Sequence, residues 1–284
     1  MEFWVTQLFN GVSYGALLFL LAGGLTLIFG MMRIVNMTHG SHYLLGCYVA
    51  VTIMTYTGSY VLALLGAAAI IALLGIIEWD RFLKGLSGQE LAQVLTTMGL
   101  ALIFQDLALI TWGGDPYNVR VPALLSGRYQ VGMFFFPVYR IFIIVVAAAV
   151  ALILWAVVER TRVGAQMRAA VDDAEMARGV GINVSVLSLG VFALGAALAA
   201  VAGVVAGGFL GVYPGADFEI LSHAFVVVIV GGMGSLKGAL LGSVMVGLLD
   251  NFGKALLPEL SYFTLFAPMA AILAIRPTGL FGRA

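Results

Sequence analysis

Long apolar stretches take up most of this chain, and they restrict its possible folds more than any other feature. Hydrophobic residues make up 62% of the sequence and charged residues 10%, whereas a soluble domain carries about 25% charged residues. Lipid cannot hydrogen-bond to the backbone, so the chain must form helices or a closed barrel. The apolar runs are continuous and lack the alternation of barrel strands. The sequence therefore predicts an all-α, polytopic transmembrane bundle formed by one domain, residues 1–284.

Polar or glycine-rich breaks divide the chain into eight apolar stretches. These stretches are residues 12–30, 42–57, 60–77, 91–112, 139–158, 184–210, 216–252 and 262–275. The stretch 216–252 is too long for one crossing at the rise of an α-helix. A run of glycines, Gly231-Gly232-Met233-Gly234-Ser235, interrupts it and predicts a tight turn. We therefore expect about eight or nine membrane segments.

The distribution of basic residues predicts how the bundle is oriented, because cytoplasmic loops are enriched in Lys and Arg. With the segment 159–183 placed in the cytoplasm, ten of the 14 Lys and Arg residues fall inside, and the remaining four, Arg120, Arg128, Arg140 and Lys254, fall outside. Arg276 and Arg283 stay inside only if residues 216–252 cross twice. This distribution predicts an external N-terminus and a cytoplasmic C-terminus.

The charged segment 159–183 interrupts the apolar stretches and predicts a short amphipathic helix over residues 165–178. An apolar series at helical spacing occupies one face: Met167, Ala170, Val171, Ala174 and Ala177. Arg168, Asp172 and Glu175 occupy the other face, and Gly179 and Gly181 are typical helix terminators. Such a helix either contacts a partner in the aqueous phase or is a solvated loop at the membrane surface.

Three further regions carry polar side chains near apolar spans, and each has two interpretations. Residues 30–46 contain Asn36, Thr38, His39 and Ser41, which fit either a broken helix along a translocation pathway or a short cytoplasmic turn. The external loop 113–137 either docks a partner or covers the end of the bundle. Asp106 lies within an apolar span, where a carboxylate lines a pathway or, as we favour, hydrogen-bonds to neighbouring helices.

The motifs of enzymes that act on phosphates, esters or peptides are missing from the sequence. There is no Gly-Lys-Ser/Thr phosphate loop, no Gly-x-Ser-x-Gly turn and no His-Glu-x-x-His helix. The three histidines, His39, His42 and His223, do not have the spacing of a metal site, and the single Cys47 cannot form an internal disulfide. A net charge of +0 indicates no nucleic-acid partner. We expect no catalytic residues, no bound cofactor and no metal.

Four blocks of sequence, in order, resemble one family of membrane proteins. The first is Gly24-Leu25-Thr26-Leu27-Ile28-Phe29-Gly30 with Ile34-Val35-Asn36-Met37-Thr38-His39-Gly40, and the second is Thr161-Arg162-Val163-Gly164 with its continuation to Asn183. The third is Val230-Gly231-Gly232-Met233-Gly234-Ser235, and the fourth is Arg276-Pro277-Thr278-Gly279-Leu280-Phe281-Gly282. These blocks are similar to those of the LivH-type permeases, the membrane subunits of branched-chain amino-acid ABC importers.

The resemblance implies a non-hydrolytic permease subunit of the bacterial cytoplasmic membrane that passes branched-chain or related amino acids. Its implied partners are two cytoplasmic ATP-binding subunits, which use ATP and Mg, a second permease (LivM-like, or a second copy of this chain) and an external solute-binding protein. Related permeases are thought to move urea, amides or aromatic acids. The chain also departs from the family pattern at Met37-Thr38 and after Glu78. Two rival functions also fit an apolar bundle, namely a stand-alone facilitator and a proton-coupled carrier that uses Asp106.

The resemblance also implies which residues carry the function. ATPase coupling is expected at Gly164, Met167, Arg168, Ala169, Asp172, Ala174, Glu175, Ala177 and Gly181. Our candidates for the translocation pathway and its hinges are Asn36, Thr38, His39, Gly40, Gly231, Gly232, Gly234 and Ser235.

Overall fold

The computed structural model describes residues 2–282, so Arg283 lies outside the described part. Helices form most of it, as predicted. They are α1 (Glu2–Met32), α2 (Thr38–Thr57), α3 (Tyr60–Glu78), α4 (Glu90–Trp112), α5 (Val138–Arg160), α6 (Arg162–Asp172), α7 (Ala174–Gly179), α8 (Val184–Gly207), α9 (Ala216–Gly231), α10 (Leu236–Leu256) and α11 (Ser261–Ile275). Within residues 2–282, six helical stretches are long and apolar enough to cross a membrane: Glu2–Met32, Tyr60–Leu86 (α3 with the short helical turns that follow it), Glu90–Trp112, Val138–Arg160, Val184–Gly207 and Leu236–Leu256.

Helix α1 lies at the centre of the bundle, where it packs against α5, α8 and α10. Close approach of the backbones explains the small residues of its sequence. A Cβ atom added at Gly15 would lie 2.6 Å from the carbonyl oxygen of Ser243 and 2.9 Å from Cα of Val244. Only glycine allows α1 and α10 to pack this closely, as is common where small residues line the contact between two membrane helices.

Helix α2 begins inside the bundle, beside the middle of α1. A ring nitrogen of His39, in the first turn of α2, lies 2.9 Å from the carbonyl oxygen of Leu21. Helix α9 begins beside it, because Ser41 Oγ donates a hydrogen bond to Asp217 Oδ2 at 3.2 Å. The first turns of α2 and α9 therefore meet within the bundle, and the non-helical residues 33–36 and the segment 208–215 lead to them.

The predicted break in the stretch 216–252 is confirmed. Helix α9 ends at Gly231 and α10 begins at Leu236. A Cβ atom at either Gly231 or Gly238 would overlap the carbonyl oxygen of the other residue, so the two helices fold back on each other without a gap. Ser235 Oγ accepts a hydrogen bond from Gly238 N at 3.1 Å and caps α10.

The loop 113–137 contains a small β-hairpin, which the all-α prediction did not include. Strands β1 (Arg128–Val131) and β2 (Phe134–Pro137) pair antiparallel, with Arg128 opposite Pro137 and Val131 opposite Phe134. Phe136 packs edge-on against Phe9 with ring centroids 4.7 Å apart. The hairpin therefore lies at the end of the bundle where α1 begins. Burial alternates along β2, with Phe134 and Phe136 half-buried and Phe135 exposed, as expected for a strand packed against protein on one side.

Candidate functional site

Residues 161–181, within the charged segment 159–183, fold back onto the bundle at the end where α1 finishes. Met167 is buried in an apolar cluster with Leu27, Leu154 and Phe192, which belong to α1, α5 and α8. A Cβ atom at Gly164 would overlap the carbonyl oxygens of Val157 and Val158, so glycine permits the sharp turn from α5 into α6. This segment is therefore held firmly by its own chain.

Arg168 adds a polar anchor to this packing. Its guanidinium donates a hydrogen bond to the carbonyl oxygen of Val158 and lies 3.7 Å from Glu159 Oε2. Val158 belongs to the last turn of α5, where carbonyl groups have no partner within their own helix. A cation is also favoured at the C-terminal end of a helix dipole. Arg168 therefore fixes the angle between α5 and α6.

One helix was predicted over residues 165–178, but the structure has two. Asp173 separates α6 from α7 with an extended backbone (φ −152°, ψ 102°). Its carboxylate accepts hydrogen bonds from Glu175 N and Met176 N, both at 2.9 Å, which is an N-cap arrangement. The prediction followed the apolar spacing and gave no weight to the capping ability of Asp173. The predicted stop is confirmed, because α7 ends at Gly179 and Gly181 has φ +88°.

The expected coupling residues divide into a buried and an exposed group. Gly164, Met167 and Ala177 are buried against the bundle, and Arg168 and Ala174 are half-buried. The exposed members are Ala169, Asp172, Glu175 and Gly181. Val171, which the sequence placed on the same face as Met167 and Ala170, is 37% exposed, because Gly164, Met167 and Ala170 form the buried side of α6.

Exposed apolar side chains accompany the polar ones on the outer face of this segment. Met176 is 66% exposed and Val180 is 70% exposed. Val163 and Val171 are exposed on the same segment. The sequence prediction missed this apolar patch because its single apolar series did not include Val163, Met176 or Val180. Together, Val163, Val171, Met176 and Val180 form what we call the α6–α7 patch.

A second candidate region is a polar cluster at the start of α2, in which Asn36, Thr38 and His39 are fully buried. Asn36 Oδ1 accepts hydrogen bonds from Thr38 N at 3.0 Å and from Thr38 Oγ at 2.6 Å. These bonds turn the chain into α2. Gly40 packs so tightly that a Cβ atom there would overlap the carbonyl oxygen of Asp217. These four pathway candidates are thus enclosed by protein in the isolated chain.

Glu78 and His42 complete this cluster, although neither was among the predicted site residues. Glu78 is the last residue of α3. One of its carboxylate oxygens lies 2.9 Å from Thr38 Oγ, whose single hydroxyl hydrogen is shared between Glu78 and Asn36, and the other lies 2.7 Å from His42 Nε2. Two hydrogen bonds offset part of the cost of burying a carboxylate. Glu78 ends an apolar stretch in the sequence, and a carboxylate in that position was the available signal.

The glycine-rich turn after α9 lies far from this polar cluster. Gly231 ends α9, whereas Gly40 packs at Asp217, fourteen residues earlier in the same helix, which corresponds to about 21 Å of helix. A Cβ atom at Gly234 would come within 2.9 Å of Gly30 Cα, at the end of α1. The structure therefore separates the two groups of pathway candidates, with Gly232, Gly234 and Ser235 at the same end of α1 as the α6–α7 patch.

Backbone hydrogen bonds tie the end of α9 to the C-terminal segment. Leu280 N donates to the carbonyl oxygen of Val230 and Phe281 N donates to that of Gly231, each at 3.0 Å. Gly232 takes a left-handed backbone conformation with φ +102°. The third and fourth sequence blocks are therefore one structural unit.

Asp106 is exposed on the outer face of α4, and its neighbours on that face are apolar. A carboxylate facing lipid at this depth is costly, so this position fits a contact with another protein better than a contact with lipid. The favoured expectation, a hydrogen bond to neighbouring helices, is not met among the residues that the structure describes, where Asp106 is exposed.

Known proteins resemble this chain over nearly its whole length. Residues 7–273 match the sequence profile of the family described as "Branched-chain amino acid transport system / permease component". The chain is 30% identical to the high-affinity branched-chain amino acid transport system permease protein LivH of Salmonella typhimurium, over 99% of this chain and 96% of the relative. It is 30% identical to the corresponding permease protein BraD of Pseudomonas aeruginosa over the same shares of both chains. A solved chain of PsaBC from Streptococcus pneumoniae in complex with Fab has a TM-score of 0.48 and 16% identity, covering 94% of this chain and 89% of that chain.

Proposed function

The chain belongs to the family of branched-chain amino acid transport permease components, and we propose that it forms part of the membrane pathway of an ATP-binding-cassette importer for branched-chain or related amino acids. It is a multi-pass protein of the inner membrane. The observation that carries the proposal is the α6–α7 patch. It is exposed and apolar, the charged side chains of Asp172 and Glu175 are exposed beside it, and the segment that bears it is anchored to the bundle by Met167 and Arg168.

This arrangement suits the transmission of force between two proteins. An ATPase subunit that binds the patch would move α6, and α6 is packed directly against α1, α5 and α8. Packed helices move as units because a protein interior does not deform continuously. ATP and Mg would be bound by two such partner subunits, whereas this chain would supply no hydrolytic residue. The expected coupling residues Ala169, Asp172, Glu175 and Gly181 are exposed and suit contact with the partner. The other five, Gly164, Met167, Arg168, Ala174 and Ala177, would hold the segment in place.

The complete importer would contain this chain, a second permease, two ATPase subunits and an external solute-binding protein. The second permease is a LivM-like subunit or a second copy of this chain. We propose nine membrane segments (α1–α5 and α8–α11), with the N-terminus outside and the C-terminus in the cytoplasm. The hairpin loop 113–137 would then face the binding protein. The pathway candidates Asn36, Thr38, His39 and Gly40 would act at the α2 start, and Gly231, Gly232, Gly234 and Ser235 at a hinge near the ATPases.

The proposal is tested by co-purification of this chain from its native membrane in mild detergent. Replacing Met176 and Val180 with Asp should release the ATPase subunits, because burying two new carboxylates in an interface is costly. The matched control replaces Leu124 and Met133, which are 92% and 81% exposed in the loop 113–137, with Asp. The control should retain the ATPases. Recovery of the ATPases with both variants alike would contradict the proposed coupling surface.

If the chain is instead a stand-alone facilitator, a different result is expected for the purified chain and its Met176 and Val180 variant. Purified chain without ATPases would conduct its solute in liposomes, and the Met176 and Val180 variant would conduct it equally well. A permease subunit of an importer requires ATP and its partners for net uptake against a gradient. Uptake by the isolated chain, undiminished in that variant, would replace our proposal with the facilitator.

A further inference from the structure

A cavity of about 180 Å³ lies between α1, α2, α9 and α10, apart from both candidate regions described above. It is bounded by aromatic side chains from three segments, Tyr14, Tyr43 and Tyr213. Glu219 of α9 and Lys254 of α10 also line it, and they give it one group of each charge. The cavity is smaller than the roughly 300–1,000 Å³ of pockets that hold drug-sized ligands, so it suits a small solute.

The position of the cavity indicates that it faces water or another subunit. Tyr14 is well inside α1, and the first turn of α9, which carries Glu219, meets α2 within the bundle. Glu219 and the neighbouring Ser222 are nevertheless exposed in the isolated chain. A carboxylate at such a depth faces a bundle interior or a water-filled cavity, since contact with lipid is costly. This edge of α9 therefore belongs to an aqueous space between this chain and its partner.

Glu219 and Lys254 are each held in place by a neighbouring side chain, and each can still form hydrogen bonds with a ligand. Tyr213 OH donates a hydrogen bond to Glu219 Oε2 at 3.0 Å, and a carboxylate accepts several bonds at once. Lys254 Nζ lies 2.8 Å from Asp250 Oδ2 and 5.6 Å from the centre of the Tyr14 ring. An ammonium has three donors, so the bond to Asp250 leaves donors for a ligand carboxylate.

Apolar side chains complete the wall of the cavity. Leu210, Ala216 and Ile220 line it beside the charged groups. His223 closes the lining on α9, where its Nδ1 atom is bonded to the carbonyl oxygen of Glu219 at 2.9 Å. The cavity therefore combines the Glu219 carboxylate, which can bind a cation, the Lys254 ammonium, which can bind an anion, and an aliphatic wall.

We propose that this cavity is a transient site for the zwitterion of an aliphatic α-amino acid during transport. Glu219 binds the ammonium group, Lys254 binds the carboxylate, and Leu210, Ala216 and Ile220 contact the side chain. This inference rests on the proposed function and adds a specificity site to it. Neutral solutes such as urea engage neither charged group, and an acid without an amine does not engage Glu219. A solute that matches both charges therefore binds more tightly than one that matches one or neither, which is how a polar site gains selectivity.

A thiol placed in the cavity tests occupancy directly in the assembled importer in membrane vesicles. The natural Cys47 is fully buried, so a cysteine replacing Leu210, which is 45% exposed, is the reactive one. We expect it to react with a charged methanethiosulfonate reagent, and leucine should slow the reaction at least tenfold. At the same concentration, 4-methylpentanoate and isoamylamine, each lacking one charged group, should not slow it. A Leu124→Cys thiol in the external loop is the control, which should react without protection.

Adding Glu219→Gln to the Leu210→Cys variant should abolish protection by leucine. Three results would overturn the site: an unreactive thiol at position 210, equal protection by all three compounds or by none, or protection that survives Glu219→Gln. Each reports on the cavity without requiring transport.

Transport kinetics separate failure of this site from failure of the proposed function. In proteoliposomes with ATP and a saturating binding protein, Glu219→Gln should lower leucine uptake about tenfold or more, the size expected for loss of a charge-assisted hydrogen bond. Ser222→Ala, one turn along the same exposed edge, should transport like the wild type. If the wild-type importer moves no aliphatic amino acid on ATP, the proposed function is wrong. If the wild type imports leucine and Glu219→Gln does so equally fast, only the site is wrong.

Discussion

His42 Nε2 lies 2.7 Å from Glu78 Oε1, and the two side chains are 0% and 1% exposed. They join α2 to the end of α3, next to the buried Trp79 and Phe192. The rings of His42 and Phe192 pack edge-on, with centroids 6.2 Å apart. A buried polar pair of this kind fixes one arrangement of its helices, because any shift would leave both groups without partners. It therefore sets the position at which α2 begins inside the bundle.

Replacing Glu78 with Ala should destabilise the protein by about 1–3 kcal/mol, because His42 and Thr38 would lose buried hydrogen-bond partners. Thermal unfolding of the purified chain in detergent measures the loss.

The double variant Glu78→Leu with His42→Phe is the control, since it removes both polar groups together and should recover much of the stability. If the loss of stability in the double variant equals the sum of the losses in Glu78→Leu and His42→Phe measured singly, the two side chains are not energetically coupled.

Gly231→Ala should destabilise the packing of α9 on α10. The new Cβ atom would overlap the carbonyl oxygen of Gly238, and overpacking of this kind costs about 1–3 kcal/mol. The midpoint of thermal unfolding should fall. Gly190→Ala in α8 is the matched control, because a Cβ atom at Gly190 meets open space; it should be neutral or slightly stabilising, as alanine favours helix over glycine. Equal midpoints for both variants would argue against the close approach.

Asp173→Ala should loosen α7 by removing the cap that receives Glu175 N and Met176 N. Loss of an N-cap costs about 1 kcal/mol. Hydrogen exchange of the amides in residues 174–181 should speed up severalfold while α8 remains protected. Asp173→Asn keeps the capping oxygen and should exchange like the wild type. Unchanged exchange in the alanine variant would show that α7 is held by its buried Ala177 alone.

Arg168→Ala together with Glu175→Ala should lower the leucine imported per ATP hydrolysed in the reconstituted importer. Arg168 bonds the end of α5 and Glu175 is exposed beside the α6–α7 patch, so one change loosens the anchor and the other alters the partner contact. Arg168→Lys keeps the charge but has a different donor geometry, and it should be intermediate. Normal uptake with normal stimulation of ATPase activity in the double variant would contradict the coupling role.

The sequence predicted those features that depend on composition and periodicity along one continuous segment. The apolar spans, the break at Gly231–Ser235 and the stop at Gly179 all follow from local chemistry. The same reasoning produced one helix over residues 165–178, because it scored the apolar spacing and overlooked Asp173. It also missed the β-hairpin at Arg128–Pro137, whose pairing depends on contacts with α1 as well as on its own residues.

Residues far apart in the chain were the least predictable. Ser41 and Asp217 are 176 positions apart and form a hydrogen bond at the meeting point of two helix starts. The lining of the cavity comes from four helices and one loop, and nothing near Glu219 in the sequence points to Lys254 or Tyr14. Likewise, burial of Asn36, Thr38 and His39 could be recognised only after α1 and α3 were seen to contact this turn.

The sequence by itself determined that this chain is a helical membrane protein with a charged segment set between its spans. Lipid leaves the backbone no other hydrogen-bonding partners, and continuous apolar runs allow no other element. The tertiary structure decided which polar groups meet inside the bundle, where α2 and α9 begin, and which side of the 161–181 segment is exposed. Periodicity describes one face of one helix, whereas the pairing of His42 with Glu78 or the placement of Glu219 beside Lys254 depends on how several helices pack together.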